Sequence, residues 1–166
     1  MACFQFTKEQ LLFTSIDEIW DFISSPKNLK EITPDYMGFD IISENLPEKM
    51  YPGMIISYLV SPLLGIKTNW VTEITHVKEG EFFVDEQRVG PYNLWHHQHH
   101  IEEKDGQVLM TDIITYEPPF GLIGKIANGL VITKKLEEIF AYRKMILEKK
   151  FNHRIKGNKF DEIILN

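Results

Sequence analysis

The residues with the most chemical potential lie in one stretch, Trp95 to Ile101, which contains four histidines. In an extended strand, successive side chains point to opposite faces. Trp95, His97, His99 and Ile101 therefore share one face, and the residues between them are polar and expected in solvent. Two inward-facing histidines need hydrogen-bond partners, because a buried polar group without one costs about 1–3 kcal/mol.

The next segment offers such a partner. An Asp-Gly dipeptide at Asp105 and Gly106 favours a two-residue hairpin turn. With that turn, antiparallel pairing places Ile101 opposite Met110, His99 opposite Asp112, His97 opposite Ile114 and Trp95 opposite Tyr116. A slip of one residue would turn one strand's whole inward set outward, so this register is a sharp prediction.

Three interpretations of this inward set stay open. In a structural role, neutral histidines are hydrogen-bonded to Asp112, Tyr116 or backbone. In a binding role, they are the few oriented polar groups that small-molecule pockets carry among apolar walls. In a catalytic role, His99 oriented by Asp112 is a general base, and Tyr116 is the acid of a dehydration or cyclisation.

A metal centre is a further interpretation of the same residues, and we favour it less than a binding role. His97, His99 and Asp112 supply two imidazoles and a carboxylate, the ligand types of an open zinc or iron site. Metal bonds are about 2 Å long, whereas residues two apart on a flat strand lie roughly 7 Å apart at Cα. We therefore predict no metal and no cofactor.

Composition indicates one domain. The chain has 166 residues, of which 43% are apolar, enough for a single core. We assign residues 1–151 to that domain and 152–166 to a C-terminal tail.

The net charge of −6 argues against nucleic-acid binding, and Cys3, the only cysteine, suits a reducing cytoplasm. No apolar run approaches the roughly 20 residues of a membrane span, and the start lacks the pattern of a secretory signal.

Charge is unevenly distributed along the chain. Residues 1–120 carry a net charge of −11, whereas residues 121–166 carry +5. We interpret the basic part as the solvated flank of a helix packed on an acidic body. The alternative is a protein-interaction surface that includes Lys134, Lys135 and Lys144.

Hydrophobic patterns predict the order of elements. Strands are expected at 3–13, 39–43, 54–61, 67–77, 81–88, 93–102 and 108–117. A capping box formed by Ser15 and Glu18 begins a first helix, and a second short helical piece follows at 27–32. A long helix is expected from 121 to about 150.

One stripe of the long helix faces the sheet, at spacings of three and four residues. It comprises Leu122, Ile126, Gly129, Thr133, Leu136, Phe140, Arg143 and Leu147. Gly129 and Thr133 place small side chains where a filled core would have large ones, which predicts space between helix and sheet. Arg143, if inward, needs an acidic partner or an anionic ligand group; otherwise it reaches past the sheet edge to water.

These residues also resemble a known family. The resemblance is carried by Trp20, Asn28-Leu29, Ile32-Thr33-Pro34, Phe83-Val84-Asp85-Glu86-Gln87, Gly90-Pro91-Tyr92, Trp95-x-His97-x-His99, Met110-Thr111-Asp112, Tyr116, Gly121-x-x-Gly124 and Phe140-x-Tyr142-Arg143. In this order they are similar to bacterial SRPBCC ligand-binding proteins. That family lies in the START-like superfamily, with pollen-allergen-type lipid binders and polyketide cyclase/dehydrase-like proteins.

The resemblance implies an α+β helix-grip fold. A curved seven-stranded antiparallel sheet wraps around the long C-terminal helix, and two short helices lie between the first two strands. It further implies a cavity for a hydrophobic or aromatic small molecule, while a cyclase/dehydratase-like enzyme using His99, Asp112 and Tyr116 is the alternative. Oligomeric state is left open.

The ligand-binding candidates follow from these arguments together. They are Tyr58, Trp70, Asp85, Gln87, Trp95, His97, His99, Asp112, Ile114, Tyr116, Gly129, Thr133 and Phe140. The length of the Gly-Pro turn leaves open whether Asp85 and Gln87 or Glu86 and Arg88 face inward. The family resemblance favours Asp85 and Gln87.

Overall fold

A computed structural model describes residues 3–61, 67–119 and 131–152. Seven strands are present in this part of the chain: β1 Phe4–Leu12, β2 Asp40–Ile41, β3 Met54–Val60, β4 Thr68–Lys78, β5 Phe82–Val89, β6 Leu94–Lys104 and β7 Gln107–Glu117. They form one antiparallel sheet in the order β1-β7-β6-β5-β4-β3-β2. Two register shifts between β4 and β5 bend the sheet, because a bulge increases local twist.

Two helices and two shorter 3₁₀ segments complete the described fold. Helix α1 (Ile16–Ile23) begins where the Ser15 hydroxyl accepts a hydrogen bond from the Glu18 backbone N–H, as the capping box predicts. The 3₁₀ segments are Pro26–Lys30 and Asp35–Met37. The long helix α2 covers Thr133–Phe151.

The predicted elements agree with the structure in order and differ at several bounds. The predicted strand at 39–43 contains only the two residues of β2, and the piece at 27–32 is a 3₁₀ turn instead of an α-helix. The predicted helix start at 121, with Leu122, Ile126 and Gly129, lies outside the described residues, as does the tail from residue 153. The α+β class and the meander of strands are confirmed.

The helix packs its apolar stripe on the sheet. Leu136, Phe140, Arg143 and Leu147 of α2 are buried, as the stripe predicts. Phe140 contacts Phe6 of β1 with ring centroids 5.3 Å apart. Among the helices of the described residues, none is long and apolar enough to cross a bilayer.

The hairpin turn between β6 and β7 has the backbone that the Asp-Gly dipeptide favours. Asp105 and Gly106 both have positive φ, 52° and 74°. We expect Gly106→Ala to lower the free energy of unfolding by about 1 kcal/mol, because a Cβ disfavours this left-handed conformation. Gly106→Asn should lose less, since asparagine tolerates it better. Urea unfolding tests this, and an alanine variant as stable as wild type would contradict it.

Candidate functional site

The β6–β7 register brings the chemically interesting residues together. The pairs are Trp95 with Tyr116, His97 with Ile114, His99 with Asp112 and Ile101 with Met110. This is the register predicted from the Asp-Gly turn, and it is confirmed. His97, His99 and Asp112 are all buried, with at most 5% of their surface exposed.

Strand β5 contributes a second carboxylate. In the β5–β6 register, Asp85 lies opposite His97 and Phe83 lies opposite His99. Asp85 faces inward with Phe83, whereas Glu86 bonds to His96 on the outer face, 3.0 Å away. The expectation that Asp85 faces inward is thus confirmed.

Asp112 is the centre of a buried polar cluster. Its Oδ1 accepts hydrogen bonds from Nε2 of His97 at 2.9 Å and from Nη1 of Arg143 at 3.0 Å. Nδ1 of His99 lies 2.9 Å from the same oxygen. Burial alone would raise the pKa of Asp112, but the Arg143 charge and the two histidine hydrogen bonds outweigh it and lower that pKa. Asp112 is therefore a carboxylate.

His99 lies between two carboxylates. Nδ1 faces Asp112, and Nε2 is 2.8 Å from Oδ2 of Asp85. A neutral imidazole has only one N–H, so both contacts are favourable only when both nitrogens carry protons. Burial opposes the charged form, but the hydrogen bonds to Asp112 and Asp85 prevail and raise the pKa of His99. We assign His99 as an imidazolium.

His97 has the opposite protonation. Burial, followed by the neighbouring His99 charge, lowers the pKa of His97 to about 4, although the Asp112 hydrogen bond opposes this shift. The neutral ring donates its Nε2 proton to Asp112, which leaves a lone pair on Nδ1. That nitrogen lies 3.5 Å from Oδ2 of Asp85. The positive charges of Arg143 and His99 thus balance the two aspartates.

Aromatic rings hold the two imidazoles in place. The His97 and His99 ring centroids are 3.7 Å apart, and Phe83 stacks on His99 at 4.1 Å with an interplanar angle of 15°. Trp95 meets His97 edge to face at 6.2 Å. Rings in such contact restrict each other's rotation, so the orientation of the ring nitrogens is well defined.

The cluster lies at one wall of a cavity between the sheet and α2. The cavity has a volume of about 170 Å³. Eight of its lining side chains are aromatic: Phe22, Phe39, Tyr58, Trp70, Phe83, Tyr92, Trp95 and Phe140. Asp85, His97, His99 and Arg143 line the cavity together, and Lys135 of α2 is a further charged residue of the lining. The other polar side chains of the lining are Ser25, Asn28, Thr33 and Thr72, and most of the remaining lining residues are apolar.

Seven of the candidate residues line the cavity: Tyr58, Trp70, Asp85, Trp95, His97, His99 and Phe140. Asp112 and Ile114 share the inward face but are covered by the histidines and aromatic rings above them. Tyr116 is covered in the same way, with ring centroids 5.9 Å from Tyr92 and 6.2 Å from Trp95. Tyr116, the proposed acid of the enzyme alternative, is buried and is not among the residues that line the cavity.

Two further candidates lie outside the lining. The Gln87 side chain donates to the Tyr92 carbonyl at 2.6 Å and accepts from the Tyr92 backbone N–H at 3.3 Å, so it closes the Gly-Pro turn. Thr133 is the first residue of α2 and half-buried. Gly129 lies outside the described residues.

Sequence reasoning did not name Phe83 and left the position of Arg143 open. Phe83 was not a candidate, although strand alternation places it on the same face as Asp85. Arg143 was expected to find an acidic partner or to reach water at the sheet edge. The structure gives it the acidic partner, Asp112, and buries it to 7% exposure.

Similarity to known proteins is visible at the level of structure. No protein-family model and no curated protein sequence matches the chain. A START superfamily protein from Mycobacterium smegmatis superposes with a TM-score of 0.66 at 13% identity, covering 87% of this chain and 97% of the other. The chain has a START-like fold.

Two other solved structures agree with this assignment. Protein Ms6760 from Mycobacterium smegmatis gives a TM-score of 0.62 at 17% identity, with 88% of this chain and 92% of the other covered. Ara h 8.0201 gives 0.60 at 12% identity, with 89% and 99% covered. Identities this low show the fold alone and carry no assignment of what the cavity holds.

Proposed function

We propose that this protein binds a small hydrophobic or aromatic molecule in the cavity between the sheet and α2. The observation that carries the proposal is the lining: eight aromatic side chains border a space that also meets the polar cluster of Asp85, His97, His99 and Arg143. Small-molecule sites typically combine apolar walls with a few convergent polar groups. A START-like fold is compatible with this use.

The size of the cavity limits the ligand. A volume of about 170 Å³ is close to that of apolar cavities, about 150 Å³, that accept benzene. The proposed ligand is therefore compact, with one or two rings or an equivalent aliphatic group. Large lipids exceed this space.

The polar end selects the ligand's functional group. Nδ1 of His97 and the Asp85 carboxylate are acceptors, whereas Nε of Arg143 is a buried donor without an acceptor among the described residues. An acceptor oxygen on the ligand would satisfy Arg143, and a hydroxyl proton would satisfy His97 or Asp85. Because the four charges of the cluster cancel, a neutral ligand such as a phenol or an enol fits better than an ion.

Two experiments test the proposal: mass spectrometry for a retained ligand, and binding assays on a variant in which a larger side chain fills part of the cavity. Native mass spectrometry of the purified full chain should reveal a retained small organic molecule, and isothermal titration should show binding of 2-naphthol. Ile139 is half-buried and lines the cavity, so Ile139→Trp should weaken 2-naphthol binding at least about tenfold by filling space. Met145→Trp, on the exposed face of the same helix, is the matched control and should bind like wild type.

Equal affinity in the Ile139 and Met145 variants would contradict binding in this cavity. Circular dichroism must show that both variants are folded.

A second candidate function is a cyclase- or dehydratase-like enzyme. It is favoured by one observation: His97 is oriented by Asp112 and keeps a free lone pair beside Asp85, as a general base requires. His99 suits this role less well than expected, since both of its nitrogens lie within hydrogen-bond distance of carboxylates, 2.8 Å from Asp85 and 2.9 Å from Asp112, whereas Nδ1 of His97 is 3.5 Å from Asp85. A dehydration would lower the mass of the captured molecule by that of one water, whereas a cyclisation alone conserves mass and would change its absorption spectrum. His97→Gln would stop either change.

A further inference from the structure

The ring nitrogens of the two histidines are divided between two carboxylates. Nε2 of His97 and Nδ1 of His99 both meet Oδ1 of Asp112. The other two nitrogens, Nδ1 of His97 and Nε2 of His99, both meet Oδ2 of Asp85. This arrangement is the one seen around protein metals, where each histidine ligand gives its remote N–H to an outer carboxylate.

We propose that Asp85, His97 and His99 bind a divalent transition-metal ion at the polar end of the cavity. One nitrogen from each histidine and one carboxylate oxygen of Asp85 already lie within 4.8 Å of one another. The proposal goes beyond the small-molecule function and does not depend on it, since the ion's ligands are all side chains of this protein.

The distances suit a metal centre after a small contraction. Bonds of about 2.1 Å place two ligand atoms about 3.0 Å apart at a right angle and about 3.4 Å apart at the tetrahedral angle. Oδ2 of Asp85 lies 2.8 Å from Nε2 of His99 and 3.5 Å from Nδ1 of His97. The three ligand atoms lie within 4.8 Å of one another, so small rotations of the side chains would complete the contraction.

The Cα spacing of a flat strand does not describe how close the ligand atoms of His97 and His99 come to each other. His97 and His99 are two residues apart, but their rings incline toward each other and their centroids are 3.7 Å apart. The carboxylate ligand also differs from the sequence expectation, because Asp85 faces the free nitrogens whereas Asp112 holds the opposite ones. Asp112 is thus a positioning residue, and Arg143 in turn holds Asp112.

The donor set limits which metal would bind. Two imidazoles with one carboxylate suit Zn²⁺, Fe²⁺ or Co²⁺, whereas Mg²⁺ and Ca²⁺ prefer oxygen ligands. The ion takes the place of the proton that His99 otherwise shares with Asp85. Three protein ligands leave further coordination positions, which open toward the cavity.

The experiment is a Co²⁺ titration of the untagged, EDTA-treated full chain, followed by visible absorption, with Zn²⁺ as the competitor. We expect one ion per chain, a dissociation constant on the order of 10 µM or below, and displacement by Zn²⁺. Asp85→Asn and His97→Gln should each weaken binding at least about tenfold, and Asp112→Asn by about 10–100-fold.

The choice of variants separates loss of a metal ligand from loss of the fold and from binding at surface histidines. His97→Gln can still donate an N–H to Asp112 but lacks the imidazole lone pair, so it should fold and yet lose the metal. His96→Gln and His100→Gln remove histidines of the outer face and should bind Co²⁺ like wild type. The proposal is overturned if no visible band develops. It is equally overturned if folded Asp85→Asn and His97→Gln bind like wild type, or if only the outer-face variants lose binding.

Discussion

Replacing Asp112 with asparagine is expected to lower the free energy of unfolding by about 3–5 kcal/mol. The shape of the side chain hardly changes, but its charge is lost. Arg143 and His99 then keep positive charges in the core with only Asp85 to balance them. Removing one partner of a buried ion cluster costs more than the cluster itself contributes, because the remaining charge stays desolvated.

Urea unfolding in EDTA measures this loss without interference from metal ions. Glu103→Gln on β6 is the matched control: it removes one negative charge from an exposed position and should change stability by less than about 0.5 kcal/mol. A loss below about 1 kcal/mol in Asp112→Asn would contradict a charged, fully desolvated cluster.

A paired substitution separates charge from packing. Asp112→Leu with Arg143→Met removes both members of the buried Asp112–Arg143 ion pair and replaces them with apolar groups. Since no arginine then remains to be compensated, the double variant should lose less stability than the sum of the two single variants. Simple additivity would show that the two side chains are not energetically coupled.

The buried polar cluster can stabilise the fold and also position the side chains that line the cavity. Asp112 and Arg143 are covered or nearly covered, and they fix the orientation of the histidines that border the cavity. Loss of function in an Asp112 variant alone therefore cannot distinguish a binding role from a structural one. His97 and Asp85 are better probes, because they present atoms to the cavity that the fold does not fully use.

The sequence was most informative where one local signal determines a long-range contact. The Asp-Gly turn defines the hairpin, and from it the complete β6–β7 register follows, including His99 opposite Asp112. Both turn residues have the positive φ that this dipeptide favours. The buried stripe of α2 followed in the same way from its periodicity.

The sequence was least informative where contacts cross between elements with no fixed spacing. The Gly-Pro turn between β5 and β6 has no defined length, so the inward face of β5 could not be derived from its residues alone. Pairing of His97 with Asp112, and of His99 with Asp85, depends on ring rotations that strand alternation does not describe. Burial of Tyr116 below Tyr92 and Trp95 likewise arises from packing in three dimensions.

The two histidines should respond very differently to the same substitution. His99→Gln removes the positive charge that lies between Asp85 and Asp112, and we expect it to lower the free energy of unfolding by about 2–4 kcal/mol. His97→Gln should cost less than about 1 kcal/mol, because the neutral ring is replaced by a neutral amide that can still donate to Asp112. Urea unfolding in EDTA compares the two variants directly, since both positions are equally buried and lie on the same strand. Equal losses would contradict the assignment of a charged His99 beside a neutral His97, and a larger loss at His97 would reverse it.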